Sequence, residues 1–338
     1  MSVYIGSNKI GSSIKKGENK LIQILTGTIK QLTKEDFENV TEIKERMFEN
    51  CLSLADVKLP ENIKTVGFLA FNGCTALENI ELPSNLSTLG SSAFEKSGIK
   101  TINIPSGIKK IESAVFRDCK NLENIVIPDS VTTIYGSAFQ GCERLKNVIL
   151  SKNLTFIDGY AFLDCSALES IELPSGMTQI TSSTFGNCGS LRSVTIPETI
   201  KTIEDYAFDY CKSLDNVVIP DTVTSIGRNA FRNCISLKSL KLSEELTSIS
   251  VGTFLDCSAL ESVVIPAKVT SIEQQAFLRT NLKNIEIKAT TPPTLGTYGL
   301  SGGSHSIEAI YIPTGTLSAY QAASGWSSYS DLFIEKEM

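Results

Sequence analysis

The sequence predicts an α/β repeat solenoid: a parallel β-sheet on one face of the coils, short strands and helical turns on the other, and a cap at both ends. Three observations predict it. Phenylalanine recurs at Phe48, Phe71, Phe94, Phe116, Phe139, Phe162, Phe185, Phe208, Phe231, Phe254 and Phe277, every 23 residues except for one interval of 22. Most intervals hold a short alternating segment ended by proline, such as Ser193-Val194-Thr195-Ile196 before Pro197. Each of the nine cysteines follows one of these phenylalanines by three residues.

A length of 338 residues would by itself suggest two or three domains. Stacked repeats share a continuous core, so a single elongated domain is expected instead. Its parts are a head at 1–39, eleven units at 40–287, and a degenerate repeat with a cap at 288–338.

In the head, Val3 to Ile10 reads as a strand broken by a turn, and Leu21 to Leu25 as a further strand. Thr33 stands three residues before Asp36 and is placed to open a helix of one or two turns over Lys34 to Asn39. A polar, irregular head suits a solenoid, because the first full repeat would otherwise expose one whole apolar cross-section.

Where proline is present it closes the strand, because it cannot donate to a ladder. Val194 and Ile196 should point inward, and Ser193 and Thr195 outward. The next apolar pair, for example Val223 and Ile226, belongs to the return side, and Ala230-Phe231 to a short helical turn. Two residues after the phenylalanine stand Asn50, Gly73, Asp118, Gly141, Asp164, Asn187, Asn233 and Asp256, eight of eleven units. These types tolerate a left-handed backbone and should stop the turn there. Tyr210 departs from the pattern. One unit alone buries too little apolar surface to offset the entropy of ordering it, so the units must stack.

After Ile287 the chain changes to Thr291-Pro292-Pro293-Thr294-Leu295 and a glycine-rich loop, then a last strand at Ile310 to Pro313. Thr316 to Ser324 looks helical, and Trp326, Tyr329 and Phe333 can cover the open end of the core.

The cysteine column has Ser97 and Thr280 at two equivalent positions, so a small side chain suffices. The cysteines are read as buried free thiols acting as small hydrophobes. Disulfides between adjacent units are the alternative; short metal-ligand spacings such as C-x2-C are absent. A second column alternates in sign without exception: Glu78, Lys100, Glu123, Lys146, Glu169, Arg192, Asp215, Lys238, Glu261, Lys283 and Glu308. In parallel register such a ladder neutralises itself and serves to set register.

Composition narrows the function. A net charge of −6 lacks the basic excess that nucleic acid requires, and no apolar run is long enough to span a bilayer. Met1 to Lys20 shows no apolar core behind a basic start, so no classical secretion signal is visible. The one histidine, His305, has no nucleophile or carboxylate placed beside it by a motif. We expect no enzyme activity, no catalytic residue, no cofactor and no metal site.

Leu-x-x-Ile-x-Ile-Pro-x-x-Val-x-x-Ile-x-x-x-Ala-Phe-x-x-Cys, as in Leu122 to Cys142, resembles the BspA-type (Treponema pallidum-type) leucine-rich repeat family. The resemblance covers about residues 40–338 and includes the terminal residues 291–295, 311–313 and 319–326. It implies a right-handed leucine-rich-repeat superhelix, and proteins of gut and oral bacteria or mucosal protists that are mostly surface-exposed or secreted, several of them adhesins. Residues 3–10 also resemble the short heads of repeat proteins from phage and prophage tail regions. It implies no catalytic residues.

A ligand is expected on the outward sheet positions, the usual binding surface of a solenoid. The candidates are Asn124, Val126, Asn147, Ile149, Glu172, Thr195 and Val218, led by Val126 and Ile149, which are apolar where most units are polar. The plainer reading is that β-branched residues favour a strand. Phe68, Tyr135, Phe156, Tyr160, Tyr206 and Tyr210 lie outside the consensus and could stack on sugar, meet a neighbouring subunit or fill gaps. The expected function is recognition or adhesion through the sheet face, toward a protein or glycan on a host or neighbouring cell. The location is extracellular, cell-surface or virion-associated, without membrane insertion. The alternative is a spacer in a larger assembly such as a phage tail, held through residues 1–39.

Overall fold

The computed structural model describes Tyr4–Ile5, Asn8–Lys9 and residues 30–37, 40–300 and 307–337. The expected strand at 21–25 and His305 lie outside the described residues. The chain forms two compact units, Met1–Leu168 and Glu169–Met338, each a stack of coils in parallel register.

In the first unit Tyr4–Ile5 and Asn8–Lys9 pair antiparallel, the broken strand expected of the head. The helix expected at 34–39 is a shorter 3-10 turn, Lys34–Phe37. The Asp36 carboxylate accepts both the backbone N–H and the hydroxyl of Thr33, at 2.7 and 3.1 Å. Sheet-face strands Gln31–Leu32, Asp56–Lys58 and Asn79–Glu81 pair in parallel, as do Asn124–Val126 and Asn147–Ile149. A second row of two-residue strands carries the return side, for example Lys110–Ile111, Thr133–Ile134 and Phe156–Ile157. Between the two sheet-face groups lies the coil shortened to 22 residues, whose residues 101–104 form no strand. Gly98 sits at the shortening because a Cβ there would come within 2.2 Å of the Thr75 carbonyl oxygen.

The second unit repeats the plan with Ser170–Glu172 on Ser193–Thr195, and Asn216–Val218 on Ser239–Lys241. It ends in a four-stranded group, Ser262–Ile265, Asn284–Ile287, Ala309–Pro313 and Phe333–Lys336. The expected last strand, at 310–313, is therefore followed by another, whose charged and exposed residues carry little strand signal. Val194 and Ile196, expected inward, are only half-buried. The ladder stops after Ser193–Thr195, which leaves one flank of that strand without a paired neighbour. The cap has helix Leu317–Ala322, with the Tyr320 hydroxyl donating to the Ala289 carbonyl at 2.7 Å and the Trp326 indole to Pro293 at 2.6 Å.

The segment around each phenylalanine takes the form of overlapping turns rather than a short helix. It is left-handed twice per coil. The second left-handed residue is the expected one, from Asn50 to Asp256, and Lys96, Tyr210 and Arg279 adopt it too. The first stands two residues before the phenylalanine, at positions as varied as Arg46, Leu69, Ser137, Tyr160 and Asn229. A left-handed residue there prevents an α-helical ladder, and the amides turn to the next coil. Arg46, Phe48 and Asn50 N–H donate to the carbonyls of Phe68, Ala70 and Asn72 at 2.9, 2.8 and 2.7 Å. In the second unit Tyr206, Phe208 and Tyr210 donate to Arg228, Ala230 and Arg232 at 2.9, 2.8 and 2.8 Å. These turns thus form a third ladder beside the two rows of strands.

Inside, the phenylalanine rings stack nearly parallel, from 5.1 Å between Phe48 and Phe71 to 5.8 Å between Phe94 and Phe116. The nine cysteines are free and buried. They are more than spacers: the Cys74, Cys119 and Cys142 thiols donate to the carbonyls of Phe48, Phe94 and Phe116, and Cys211, Cys234 and Cys257 do the same in the second unit. Thr280, in the same column, donates instead to Phe277 of its own coil at 2.8 Å.

Candidate functional site

Alternation along each short strand turns one side chain inward between two outward ones, so the outward positions form columns across the sheet face. In the first unit Asn124 lies opposite Asn147 and Val126 opposite Ile149. The Asn147 amide donates to the Asn124 amide oxygen at 2.7 Å, leaving each side chain further hydrogen-bonding capacity toward solvent. Beside this polar step, Val126 is 56% exposed and Ile149 62% exposed. Four of the candidates thus make one patch, an amide pair flanked by an apolar pair.

In the second unit Glu172 lies opposite Thr195, both exposed, whereas Val218, 56% exposed, lies opposite Lys241. Lys241 pairs with Asp221 at 3.2 Å. Val218 therefore neighbours a charged pair and has no apolar partner across the strand.

Next to the Val126 patch, on the same face of the first unit, is a depression of about 760 Å3. Its lining includes Asp56, Lys58, Asn79, Glu81, Asn103 and Val126. Lys58 and Glu81 stand 3.6 Å apart across two coils. Only Val126 among the candidates lines it. The signal in the sequence was the single 22-residue interval between Phe94 and Phe116, because the shortened coil runs through the depression.

The alternating charges are in register but only partly paired. Lys100 meets Glu78 at 2.8 Å, and Lys283 meets Glu261 at 3.0 Å. Among the described residues Arg192, Asp215 and Lys238 close no ion pair, and they line a smaller depression of about 350 Å3 with Ser213 and Ile235. The expected self-neutralised stripe is therefore incomplete. Exposed pairs are worth only about 0–1 kcal/mol, too little to hold every long side chain in one geometry.

The aromatic residues outside the consensus sit on the return side and turns, several under a cation. Arg46 lies 5.6 Å from the Phe68 ring centre, Lys110 5.6 Å from Tyr135, and Arg232 5.7 and 5.3 Å from Tyr206 and Tyr210. Among the described residues no helix is long and apolar enough to cross a membrane, and no three metal-ligating side chains converge.

Comparisons with known proteins agree with this architecture. The chain resembles a leucine-rich cell surface protein of Faecalibacterium prausnitzii A2-165, with 25% identity, 82% of this chain and 89% of that one covered, and a TM-score of 0.51. A leucine-rich repeat protein of Eubacterium ventriosum shares the fold at 21% identity, with 80% and 85% covered and a TM-score of 0.51. No curated protein matches the chain. The BspA type leucine-rich repeat region matches in six copies over residues 27–123, 88–215 and 178–297. Repeat pattern, parallel coils and family match agree: the chain belongs to the BspA-type leucine-rich repeat family.

Proposed function

We propose that this chain is a non-catalytic recognition protein that binds a protein or glycan through its outward sheet face, displayed on the surface of a bacterial cell or a phage particle. The observation that carries the reading is the first-unit patch, where Val126 and Ile149 stand exposed in register beside the Asn124–Asn147 amide pair. Apolar side chains held in water on a rigid strand pair release that water on contact, and the adjoining amides set orientation. The neighbouring depression adds charged and amide groups around the contact. Display on a bacterial surface is supported by the similarity to the F. prausnitzii cell surface protein.

The test is an array of glycans and host matrix proteins probed with the parent and with the double variant Val126→Asp/Ile149→Asp. Both side chains are exposed, so the variant should keep the fold, with a Tm lowered only modestly by the two carboxylates placed opposite each other. It should lose the parent's signals by at least about tenfold, the size of a modest hot spot. Identical array patterns from the two proteins would sink the sheet-face assignment.

A further inference from the structure

The second unit carries a side-chain cluster away from the sheet face, on the turns. In the coil around Phe208 both left-handed positions are tyrosines, Tyr206 and Tyr210, each at φ 59°. No other described coil puts aromatic residues at both. Other coils hold at most one aromatic residue there, as at Tyr160 with Asp164, and several hold only small polar residues, as at Asn229 with Asn233 and Ser183 with Asn187. A bulky side chain is disfavoured at a left-handed position, so the fold itself does not call for these rings.

The two rings share one cation. The Arg232 guanidinium lies 5.7 Å from the centre of Tyr206 and 5.3 Å from that of Tyr210. It is fixed in place by Asp209, which accepts from Nε at 2.9 Å and from a terminal nitrogen at 2.6 Å. Lys212 brings a second cation 5.7 Å from the Tyr210 centre and closes no ion pair among the described residues. Asp209 balances Arg232, and Lys212 remains in excess. Tyr210 is 38% exposed.

We propose that Tyr206, Tyr210, Arg232 and Lys212 form a second binding site, for a pyranose sugar that carries a carboxylate. A pyranose presents an apolar C–H face that stacks on a tyrosine ring, and rings already held by a guanidinium lose little freedom when the sugar arrives. The unpaired Lys212 ammonium supplies the charge partner for the carboxylate. Arg232 holds the two rings and, by its free donors, meets the hydroxyls. A uronate and a sialate both satisfy this chemistry.

The experiment titrates the full chain with a sialylated trisaccharide, a glucuronate-containing hexasaccharide and neutral lactose. The parent should bind at least one acidic sugar, with saturation below about 10 mM, and lactose at least about tenfold more weakly. Tyr206→Asn/Tyr210→Asn should abolish that binding. It should leave Tm within about 2 °C of the parent or raise it, because asparagine suits the left-handed backbone. Lys212→Gln should weaken the acidic sugar at least about fivefold without moving Tm. Val126→Asp/Ile149→Asp should bind the acidic sugar like the parent, which separates this site from the sheet-face reading. Failure to bind either acidic sugar, equal binding of lactose, or undiminished binding of the acidic sugar by the double tyrosine variant or by Lys212→Gln would overturn the proposal.

Discussion

The Cys142 thiol donates to the Phe116 carbonyl at 3.2 Å, one coil back, and that carbonyl also accepts the Cys119 N–H of its own coil at 3.0 Å. The cysteine column therefore ties successive turns together as well as filling space. Replacing Cys142 by Val keeps an apolar side chain of similar size and removes the donor. The carbonyl keeps its other partner, so the expected cost is about 0.5–1.5 kcal/mol. Urea unfolding measures it; a Val variant at least as stable as the parent would return the thiol to the role of a spacer.

Burial also governs the thiols' acidity. It pushes Cys51 up to about 11 and Cys119 up to about 12, and it raises Cys142, Cys211 and Cys234 well above the ordinary value of 9.0. A folded value above the unfolded one gives stability that is complete below pH 9 and declines as pH rises toward the folded values. The slope should approach about 1.4 kcal/mol per pH unit for each thiol that ionises on unfolding. Native protein at pH 8 should react with a thiol reagent far more slowly than unfolded protein, which exposes all nine cysteines. Rapid labelling of every cysteine under native conditions would contradict the buried column.

Phe139 lies between Phe116 and Phe162, with ring centres at 5.4 and 5.1 Å. Truncation to Ala leaves a cavity bounded by two coils and should cost about 3–5 kcal/mol. Thermal or urea melts report it, and a variant that melted with the parent would mean that the column does not carry the core.

Glu95 is a buried carboxylate, 4% exposed, held by the Arg117 guanidinium one coil on. Burial pushes its pKa up, but hydrogen bonds from Arg117 and Ser92 and the charges of Arg117 and Lys96 outweigh this and leave it below 4.5. A lowered folded value gives stability that is present above the unfolded value and lost as pH falls through the folded one. Arg117→Ala should therefore cost about 2 kcal/mol at pH 7. The gap to the parent should narrow below about pH 4.5, where protonation of Glu95 removes the uncompensated charge. A gap that stays constant from pH 7 to pH 3 would show that Arg117 acts through packing alone.

Much of the fold was legible because a period of 23 residues repeats each local decision many times. Phenylalanine, proline and cysteine each recur in one phase, so strand, turn and core positions could be assigned by column, and in eight of eleven coils the left-handed residue after the phenylalanine showed as Asn, Asp or Gly. The left-handed residue before it did not show. Arg46, Leu69, Ala114 and Tyr160 have no such preference, and the hydrogen bonds to the next coil impose the conformation on them. The strand at Phe333–Lys336 was hidden for a related reason, since pairing with Ala309–Pro313 rather than its own composition makes it a strand.

The sequence by itself determined the coil, its phase, and which columns face in or out, because burying one apolar set per period is a local demand written into every repeat. Tertiary structure decided where that regularity yields: the depression beside the 22-residue coil, the charges that find partners, and the pair of tyrosines gathered around Arg232. Those depend on distances between coils, and a spacing along the chain says which residues stack but not how closely exposed side chains approach in water.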